Sequence, residues 1–212
     1  MHFFCIIAFV YCVVYSSAMI PSLIRNGLPR QHTYTGRLAS ALFSTGNQHI
    51  KSYRMDGVGE GTKVEITTDT GHALTTDIPK KMGGSDSAPQ PVETLVAAWM
   101  GCTQATALFV GRCMPERVVI QKLEFENIQA FRDERGALQL PITKTPDIPS
   151  RLEHITGKIR VFSCNAQGLS SKQIELLKEQ TEIRCPVANM ILASGCSIDV
   201  EWVDASTVNT DT

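Results

Sequence analysis

The sequence lacks the cysteine patterns of a structural metal site. It has 7 cysteines in 212 residues, but no CxxC pair and no Cys–His spacing of the kind that ligates zinc. The cysteines beyond the first 45 residues are spread widely, which excludes the compact disulfide framework of small secreted domains. We therefore expect no metal, no bound cofactor, and reduced thiols in an intracellular compartment. These cysteines are Cys102, Cys113, Cys164, Cys185 and Cys196.

Excess positive charge is also lacking. The chain has 20 Lys and Arg residues against 21 Asp and Glu residues, a formal net charge of −1. All of the acidic residues lie beyond residue 45, so the rest of the chain is mildly acidic. A protein that binds nucleic acid needs a basic face for the phosphates. Nucleic acid is therefore not an expected partner.

Acidic residues are absent from residues 1–45, whose charged residues are three arginines. The run FFCIIAFVYCVV (3–14) is apolar, but no Lys or Arg precedes it, and it is short for a membrane span. From Met19 onward the segment contains Arg and Ser without acids, which is typical of an organellar transit peptide. We expect a mitochondrial leader over 1–45, disordered or cleaved, and a folded domain over 46–212. The alternatives are a bipartite plastid leader, a plain signal or membrane anchor, and a cytoplasmic location.

The chain from residue 46 shows no internal repeat, and its patterns predict one α+β domain. The order of elements is strands, one long helix, strands, two helices and a final strand, which places the helices against an antiparallel sheet. The glycine-rich segment DGVGEGT predicts a turn between the first two strands. The predicted strands cover 50–55, 63–68 and 73–77 and lie within 117–131, 154–163 and 197–203; the predicted helices cover 92–112, 170–183 and the residues after Pro186.

The long helix carries a cysteine, Cys102, in the middle of an apolar run. Apolar residues recur on most of its faces, so we expect this helix to be central and buried. Cysteine packs well as a small hydrophobe, so core filling is the simplest interpretation. The alternative is a nucleophilic thiol with a partner elsewhere in the chain. An apolar environment argues against that alternative, because it usually raises the pKa of a thiol.

Cys185 directly precedes Pro186, and proline is favoured at the first position of a helix. The pair predicts Cys185 at the N-cap, where unpaired amides and the helix dipole favour the thiolate. Arg184 adds positive charge beside it. A reactive thiol fits this position, and so does an ordinary helix start.

The segments around these two cysteines carry a recognisable pattern. The first is GGSDSAPQPVETLVAAWMGCT (83–103) and the second is CPVANMILASGCSIDVEW (185–202). Together they resemble the OsmC/Ohr family, the osmotically inducible and organic hydroperoxide resistance proteins. The family pattern has a Pro-x-Glu start, a small-residue helix that ends in Gly-Cys or Ala-Cys, and a much later Cys-Pro-Val. The resemblance covers roughly residues 50–203.

The resemblance implies an OsmC-like fold, with an antiparallel sheet around a long central helix, in an intertwined homodimer with two sites at the interface. It implies that Cys102 attacks a hydroperoxide to give a sulfenic acid and that Cys185 condenses with it to a disulfide. A dithiol reductant, of lipoyl or thioredoxin-like type, would restore both thiols. The apolar surroundings of Cys102 would favour organic hydroperoxides of lipid type, because burying each methylene contributes about 0.8 kcal/mol.

One part of the family pattern is absent. The best-characterised members have a glutamate ten residues before the first cysteine, paired with an activating arginine. Here that position is Val92, and the acid is Glu93, nine residues before Cys102, as in another branch of the family. Nine helical residues rise about 13.5 Å, so Glu93 cannot reach its own Cys102. It either caps its helix, which we favour, or serves the partner's site. The candidate activating arginines are Arg54 and Arg184.

These observations predict a dimeric thiol peroxidase whose reacting pair is Cys102 and Cys185. Trp99 most simply fills the core, but it lies one turn before Cys102 and is therefore also the candidate wall of a substrate pocket. The competing function is a non-catalytic redox-sensing or apolar-ligand-binding protein on the same fold. A cysteine hydrolase is a third, and it would need His72 or His154 beside Cys102 as general base.

Overall fold

The strands of the described part of the chain form two three-stranded sheets. The structure, a computed structural model, describes residues 49–206, so the predicted leader over 1–45 lies outside the described residues. From Ser52 onward the described residues form one compact unit. The strands of the first sheet are β1 (Met55–Glu60), β2 (Lys63–Thr68) and β3 (Ala73–Thr76), and those of the second are β4 (Ile120–Arg132), β5 (Leu152–Ser163) and β6 (Ser197–Asp204). The helices are α1 (Pro91–Cys113), α2 (Arg135–Leu138), α3 (Ser171–Arg184) and α4 (Pro186–Ala193). The predicted α+β class is confirmed.

The first sheet is an antiparallel meander, and its first strand corrects the predicted turn. The glycines of DGVGEGT predicted a turn over residues 56–62, but Gly57 and Gly59 lie inside β1, opposite Ile66 and Val64 of β2. The turn itself needs little more than Gly61, whose φ of +60° suits a residue without a side chain. The turn predicted from the glycines was therefore too long, and the first strand was predicted over 50–55 instead of Met55–Glu60. Every residue of β1 is exposed.

The second sheet is mixed rather than purely antiparallel. β4 and β5 pair antiparallel, as predicted, but β6 lies parallel to β5, with Ile155 opposite Ile198. The reason is the connection, because α3 and α4 carry the chain back to the end of the sheet where β5 begins. A crossover of that length is what a parallel pair requires. The central strand of this sheet, β5, supplies fully buried core residues: Ile155, Ile159 and Val161.

Helix α1 is central to the second sheet and the other helices, but one of its apolar faces stays exposed. It packs against β4, α3 and α4, and it buries Trp99, Ala107 and Val110. On another face Leu95 is 44% exposed and Phe109 is 53% exposed. The predicted burial therefore holds for one side of the helix within a single chain. Among the residues that the structure describes, α1 alone is long and apolar enough to span a membrane, a criterion that core helices also meet.

The loop before α1 is organised around one buried carboxylate, Asp77. This side chain accepts hydrogen bonds from Thr62 Oγ1, from the amide of Ile78, and from both the amides and the hydroxyls of Ser85 and Ser87. These bonds hold the pKa of Asp77 far below its ordinary value, with the serine and threonine hydroxyls as the largest causes.

Close backbone packing reinforces the same loop. A Cβ at Gly84 would lie 1.9 Å from the carbonyl oxygen of Ile78, so only glycine fits there. The amide of Asp77 also donates to the carbonyl of Pro89, at 3.1 Å. The loop therefore delivers the chain to Pro91 in a fixed position, and with it the start of α1.

Candidate active site

Cys102 and Cys185, which lie 83 positions apart in the sequence, meet in the structure. Cys102 lies midway along α1, and Cys185 lies at the junction of α3 and α4. The Cys185 thiol donates to Cys102 Sγ, with 2.7 Å between the sulfur atoms, and both cysteines are free thiols. The two residues singled out by the sequence motifs are therefore in direct contact within one chain.

The position of Cys185 is set by the two helices that it joins. It follows the last residue of α3, where its amide donates to the Thr181 carbonyl at 2.9 Å. It is also the N-cap of α4, where its Sγ accepts a hydrogen bond from the amide of Ala188 at 3.3 Å. Its extended backbone, with φ −76° and ψ 113°, is the conformation that the following proline imposes. The predicted N-cap position is confirmed.

The predicted preference of Cys185 for the thiolate is wrong. The side chain is 0% exposed, and burial is the largest cause that raises the pKa of its thiol. The hydrogen bond to Cys102 raises that pKa further, while the amides of Ala188 and Val187 lower it by less. The helix start was predicted correctly. The loss of water around the sulfur, however, raises the pKa of the thiol by more than the amides at the helix start lower it. Cys185 therefore stays protonated and donates a hydrogen bond to Cys102.

Cys102 is the more accessible of the two thiols. It is half-buried, and its neighbours along the same face of α1 are exposed apolar residues. These neighbours lie three, four and seven residues away, the spacing of one helix face: Leu95, Ala98, Ala105 and Phe109. Cys102 thus lies within an exposed apolar stripe, whereas Cys185 is fully buried.

Trp99 does not form the wall of an open pocket. It is 2% exposed and packs edge-to-face against Phe125, with 6.1 Å between ring centroids. A cavity of about 610 Å³ lies nearby, between the first half of α1 and the second sheet. Phe125 lines this cavity, and Trp99 is not among the described residues that do. The core-filling alternative for Trp99 is therefore the one that the structure supports.

That cavity lies on the side of α1 that faces away from Cys102. Its wall on α1 comes from Glu93, Val96 and Met100, together with Val92 and Ala97. Two residues of helix turn about 200°, so Cys102 points nearly opposite to Met100. The cavity and the thiol pair are two different features of the molecule.

None of the three candidate activating residues forms a hydrogen bond or ion pair with either thiol among residues 49–206. Glu93 accepts from the amide of Gln90 at 2.8 Å, which is the capping interaction that we favoured. Arg184 Nη1 donates to Gln180 Oε1 on its own helix. Arg54 is exposed and immediately precedes β1 rather than lying within the first strand.

Substituting Glu93 separates its capping role from an activating role. Glu93→Gln keeps a side chain that can accept from the Gln90 amide, so we expect hydroperoxide turnover within about twofold of wild type and little loss of stability. Glu93→Ala should lower the free energy of unfolding by about 1 kcal/mol, because the amide of the N-cap residue Gln90 loses its acceptor. Chemical denaturation and turnover assays measure both effects. A large loss of turnover in Glu93→Gln with unchanged stability would assign the carboxylate to activation instead.

The two histidines that a hydrolase would need do not pair with Cys102. His154 lies in β5 and stacks on Phe131, with 4.3 Å between ring centroids. His72 lies in the turn before β3, where its amide donates to Thr68 Oγ1. Within residues 49–206, no group of three or more His, Cys, Asp and Glu side chains could hold a metal ion.

Two residues that shape the site were missed by sequence analysis. Asp77 fixes the approach to α1, and its signal was the run of serines that follows it, in TTDIPKKMGGSDS. Asn189 contacts the carbonyl of Cys185, and its only signal was a place four residues after that cysteine. Neither signal points to a partner until the chain is folded.

Comparison with known proteins agrees with this architecture. The OsmC-like protein family model matches residues 84–201. An OsmC-like protein from Mycoplasma pneumoniae has a similar fold, with a TM-score of 0.55, 22% identity, and coverage of 73% of this chain and 97% of that one. An OsmC-like protein of unknown function from Vibrio cholerae gives a TM-score of 0.57, 11% identity, and coverage of 73% and 100%. An organic hydroperoxide resistance protein from Elizabethkingia anophelis gives 0.50, 13%, and coverage of 74% and 99%. No curated protein matches the chain significantly.

The fold and the site together define an α+β protein in which a thiol on a long helix meets the thiol of a Cys-Pro helix start. The chain belongs to the OsmC-like family. It shares its fold with the organic hydroperoxide resistance protein from Elizabethkingia anophelis, at 13% identity.

Proposed function

We propose that this protein is a thiol-dependent peroxidase that reduces organic hydroperoxides through Cys102 and Cys185. The observation that carries the proposal is the contact between the two sulfur atoms, with Cys102 accessible and Cys185 fully buried. This arrangement assigns different roles to two chemically identical groups. The accessible thiol of Cys102 reacts with the oxidant, and the buried thiol of Cys185 then forms the disulfide with it.

In the first step the Cys102 thiolate attacks the terminal oxygen of the hydroperoxide. The O–O bond breaks, the alkoxide takes up a proton and leaves as an alcohol, and Cys102 becomes a sulfenic acid. In the second step Cys185 attacks the Cys102 sulfur, loses its proton, and displaces water as the disulfide forms. The hydroperoxide takes up two electrons in the first step, and the second step is a condensation without further oxidant, so one hydroperoxide gives one alcohol, one water and one disulfide.

A dithiol reductant, of lipoyl or thioredoxin-like type, would complete the cycle. Because Cys185 is buried, the reductant's thiolate would reach the sulfur of Cys102, and Cys185 would be released as the leaving thiol. The exposed apolar stripe beside Cys102 suits a substrate with an alkyl chain, which fits the organic class of hydroperoxide.

The proposal includes a homodimer, because apolar surface is left uncovered in one chain. Leu95 and Phe109 of α1 are exposed, and so are Met55 and Val58 of β1. A second copy that packed against these residues would form the other wall of a site around Cys102. Light scattering of the full chain at micromolar concentration checks this part, and a monomer would contradict it.

We also propose the mitochondrion as the location, on the composition of the leader alone.

Cys185→Ser tests the assigned order of the two thiols. With one equivalent of tert-butyl hydroperoxide, this variant should accumulate Cys102 sulfenic acid, because the group that consumes it is gone. Trapping with dimedone and mass spectrometry should label most of Cys102 in the variant and about tenfold less in wild type. Cys164→Ser, which removes an exposed thiol, is the matched control and should behave as wild type. Equal labelling in Cys185→Ser and wild type would count against the proposed pair.

One observation favours the second candidate, a protein that binds an apolar ligand without catalysis. The cavity of about 610 Å³ behind α1 does not include Cys102. Its lining combines apolar residues such as Val96 and Phe125 with the charged residues Glu93 and Arg132, so it suits a ligand with an apolar part and a polar end. Binding of an apolar fluorescent probe that persists in Cys102→Ser, in a protein without hydroperoxide turnover, would favour this function.

A further inference from the structure

The chain passes from α3 to α4 through a single residue, Cys185. Such a junction leaves the last carbonyl groups of α3 without helical donors, because a helix ends with unpaired C=O groups. Pro186 cannot help, since proline has no N–H to donate. The donors at this corner therefore come from water or from another protein group.

Asn189 supplies them. Its Nδ2 lies 3.0 Å from the carbonyl oxygen of Glu182, 2.8 Å from that of Ile183 and 3.0 Å from that of Cys185. All three neighbours are acceptors, so the amide nitrogen and not the amide oxygen must face them. The side chain thus ties the last turn of α3 to the first turn of α4.

Cys185 is consequently held at each of its polar atoms. Its amide donates to Thr181, its carbonyl accepts from both the backbone and the side-chain nitrogen of Asn189, and its Sγ accepts from Ala188. The direction of a side chain follows from the backbone that carries it. The bonds from Asn189 therefore help to aim the Cys185 sulfur at Cys102.

We propose that Asn189 is a positioning residue for closure of the Cys102–Cys185 disulfide. The inference rests on the proposed function for its meaning, since closure is the second step of that cycle. Asn189 acts through Cys185 and touches neither the hydroperoxide nor Cys102. Its loss leaves the first step intact and slows the second.

The test measures the two steps separately in the full-length chain. Wild type and Asn189→Ala are mixed with one equivalent of tert-butyl hydroperoxide, quenched at intervals, and analysed for sulfenic acid and for disulfide. Sulfenic acid formation should agree within about twofold. Disulfide closure should be at least about tenfold slower in the variant, because small displacements of reacting groups cost large factors in rate.

Two further variants separate positioning from general stability. Asn189→Lys places an ammonium donor at the end of α3, where a cation can bond the last carbonyls, and should restore most of the closure rate. Ser170→Ala removes the cap at the other end of α3, where Ser170 Oγ accepts from the amide of Gln173. It weakens the same helix without touching Cys185, so closure should stay close to wild type. Equal slowing in Ser170→Ala and Asn189→Ala, or wild-type closure in Asn189→Ala, would overturn the inference.

A second oxidant keeps this inference separate from the proposed function. Diamide oxidises a thiol pair without peroxide chemistry: one thiol adds to its N=N bond, and the second thiol displaces the hydrazine as the disulfide forms. The rate of that second step reports the approach of the two sulfurs. If wild type closes with diamide but not with the hydroperoxide, the peroxidase proposal fails, and Asn189 is judged on its diamide rate. If both oxidants close wild type and Asn189→Ala equally fast, the positioning role fails and the peroxidase proposal stands.

Discussion

Replacing Cys102 with serine should reduce hydroperoxide turnover by at least about 10³-fold. A serine hydroxyl does not ionise near neutral pH and is a far weaker nucleophile than a thiolate, so no sulfenic acid can form. The substitution changes one atom in a half-buried position of α1, so the fold should persist. Turnover of tert-butyl hydroperoxide by the full chain, with dihydrolipoamide as reductant, measures the loss.

The matched controls are the exposed cysteines that have no place in the mechanism. Cys113→Ser and Cys164→Ser should keep turnover within about twofold of wild type, since neither thiol contacts the pair. A comparable loss in either control would assign the nucleophile elsewhere. Full turnover in Cys102→Ser would remove the peroxidase mechanism altogether.

Substituting Asp77 should cause the largest loss of stability. Asp77→Ala leaves the donors of Thr62, Ser85 and Ser87 without their shared acceptor and opens space where a buried carboxylate stood. We expect the Tm to fall by at least about 5 °C, as for other losses of a buried hydrogen-bond network. Differential scanning calorimetry measures it. Asp69→Ala, which removes an exposed carboxylate from the turn before β3, is the control and should change the Tm by less than about 2 °C.

The same carboxylate should make stability fall at acid pH. Its pKa in the folded protein lies below the ordinary value of 3.8, so the folded state favours the ionised form. The resulting stabilisation is present in full above about pH 5 and is lost as pH falls through and below 3.8. Between about pH 5 and pH 3, wild type should therefore lose stability more steeply than Asp77→Ala. Parallel pH dependence in the two proteins would contradict this account of Asp77.

The pairing of Cys102 with Cys185 could be predicted from the sequence, but the environment of the two thiols could not. The resemblance to the OsmC/Ohr family, which rests on the Gly-Cys and Cys-Pro motifs in the right order, implied which cysteines react together, whereas the residues around Cys102 alone favoured core filling. The protonation of Cys185 depends instead on what covers it after folding. The helix start argued for a thiolate, and complete burial reversed that conclusion. A desolvation effect of this kind cannot be read from neighbours in the chain.

The fold shows the same division between local and distant effects. The bounds of α1 differ from the predicted 92–112 by one residue at each end, because Pro91 and the apolar periodicity are local signals. The parallel pairing of β5 with β6 was missed, since it depends on how α3 and α4 return the chain. The sequence left both a core role and a pocket wall open for Trp99, and its side chain packs in the core against Phe125.

The central claim is that Cys102 and Cys185 are a reacting pair, and one measurement tests it directly. Reduced full-length protein is treated with one equivalent of tert-butyl hydroperoxide, without added reductant, and digested for peptide mass mapping under non-reducing conditions. The account predicts a Cys102–Cys185 cross-linked peptide as the main product, formed faster than any oxidation of Cys113 or Cys164. If both thiols remain free, or oxidise no faster than those two exposed cysteines, the claim is contradicted and the ligand-binding function takes its place.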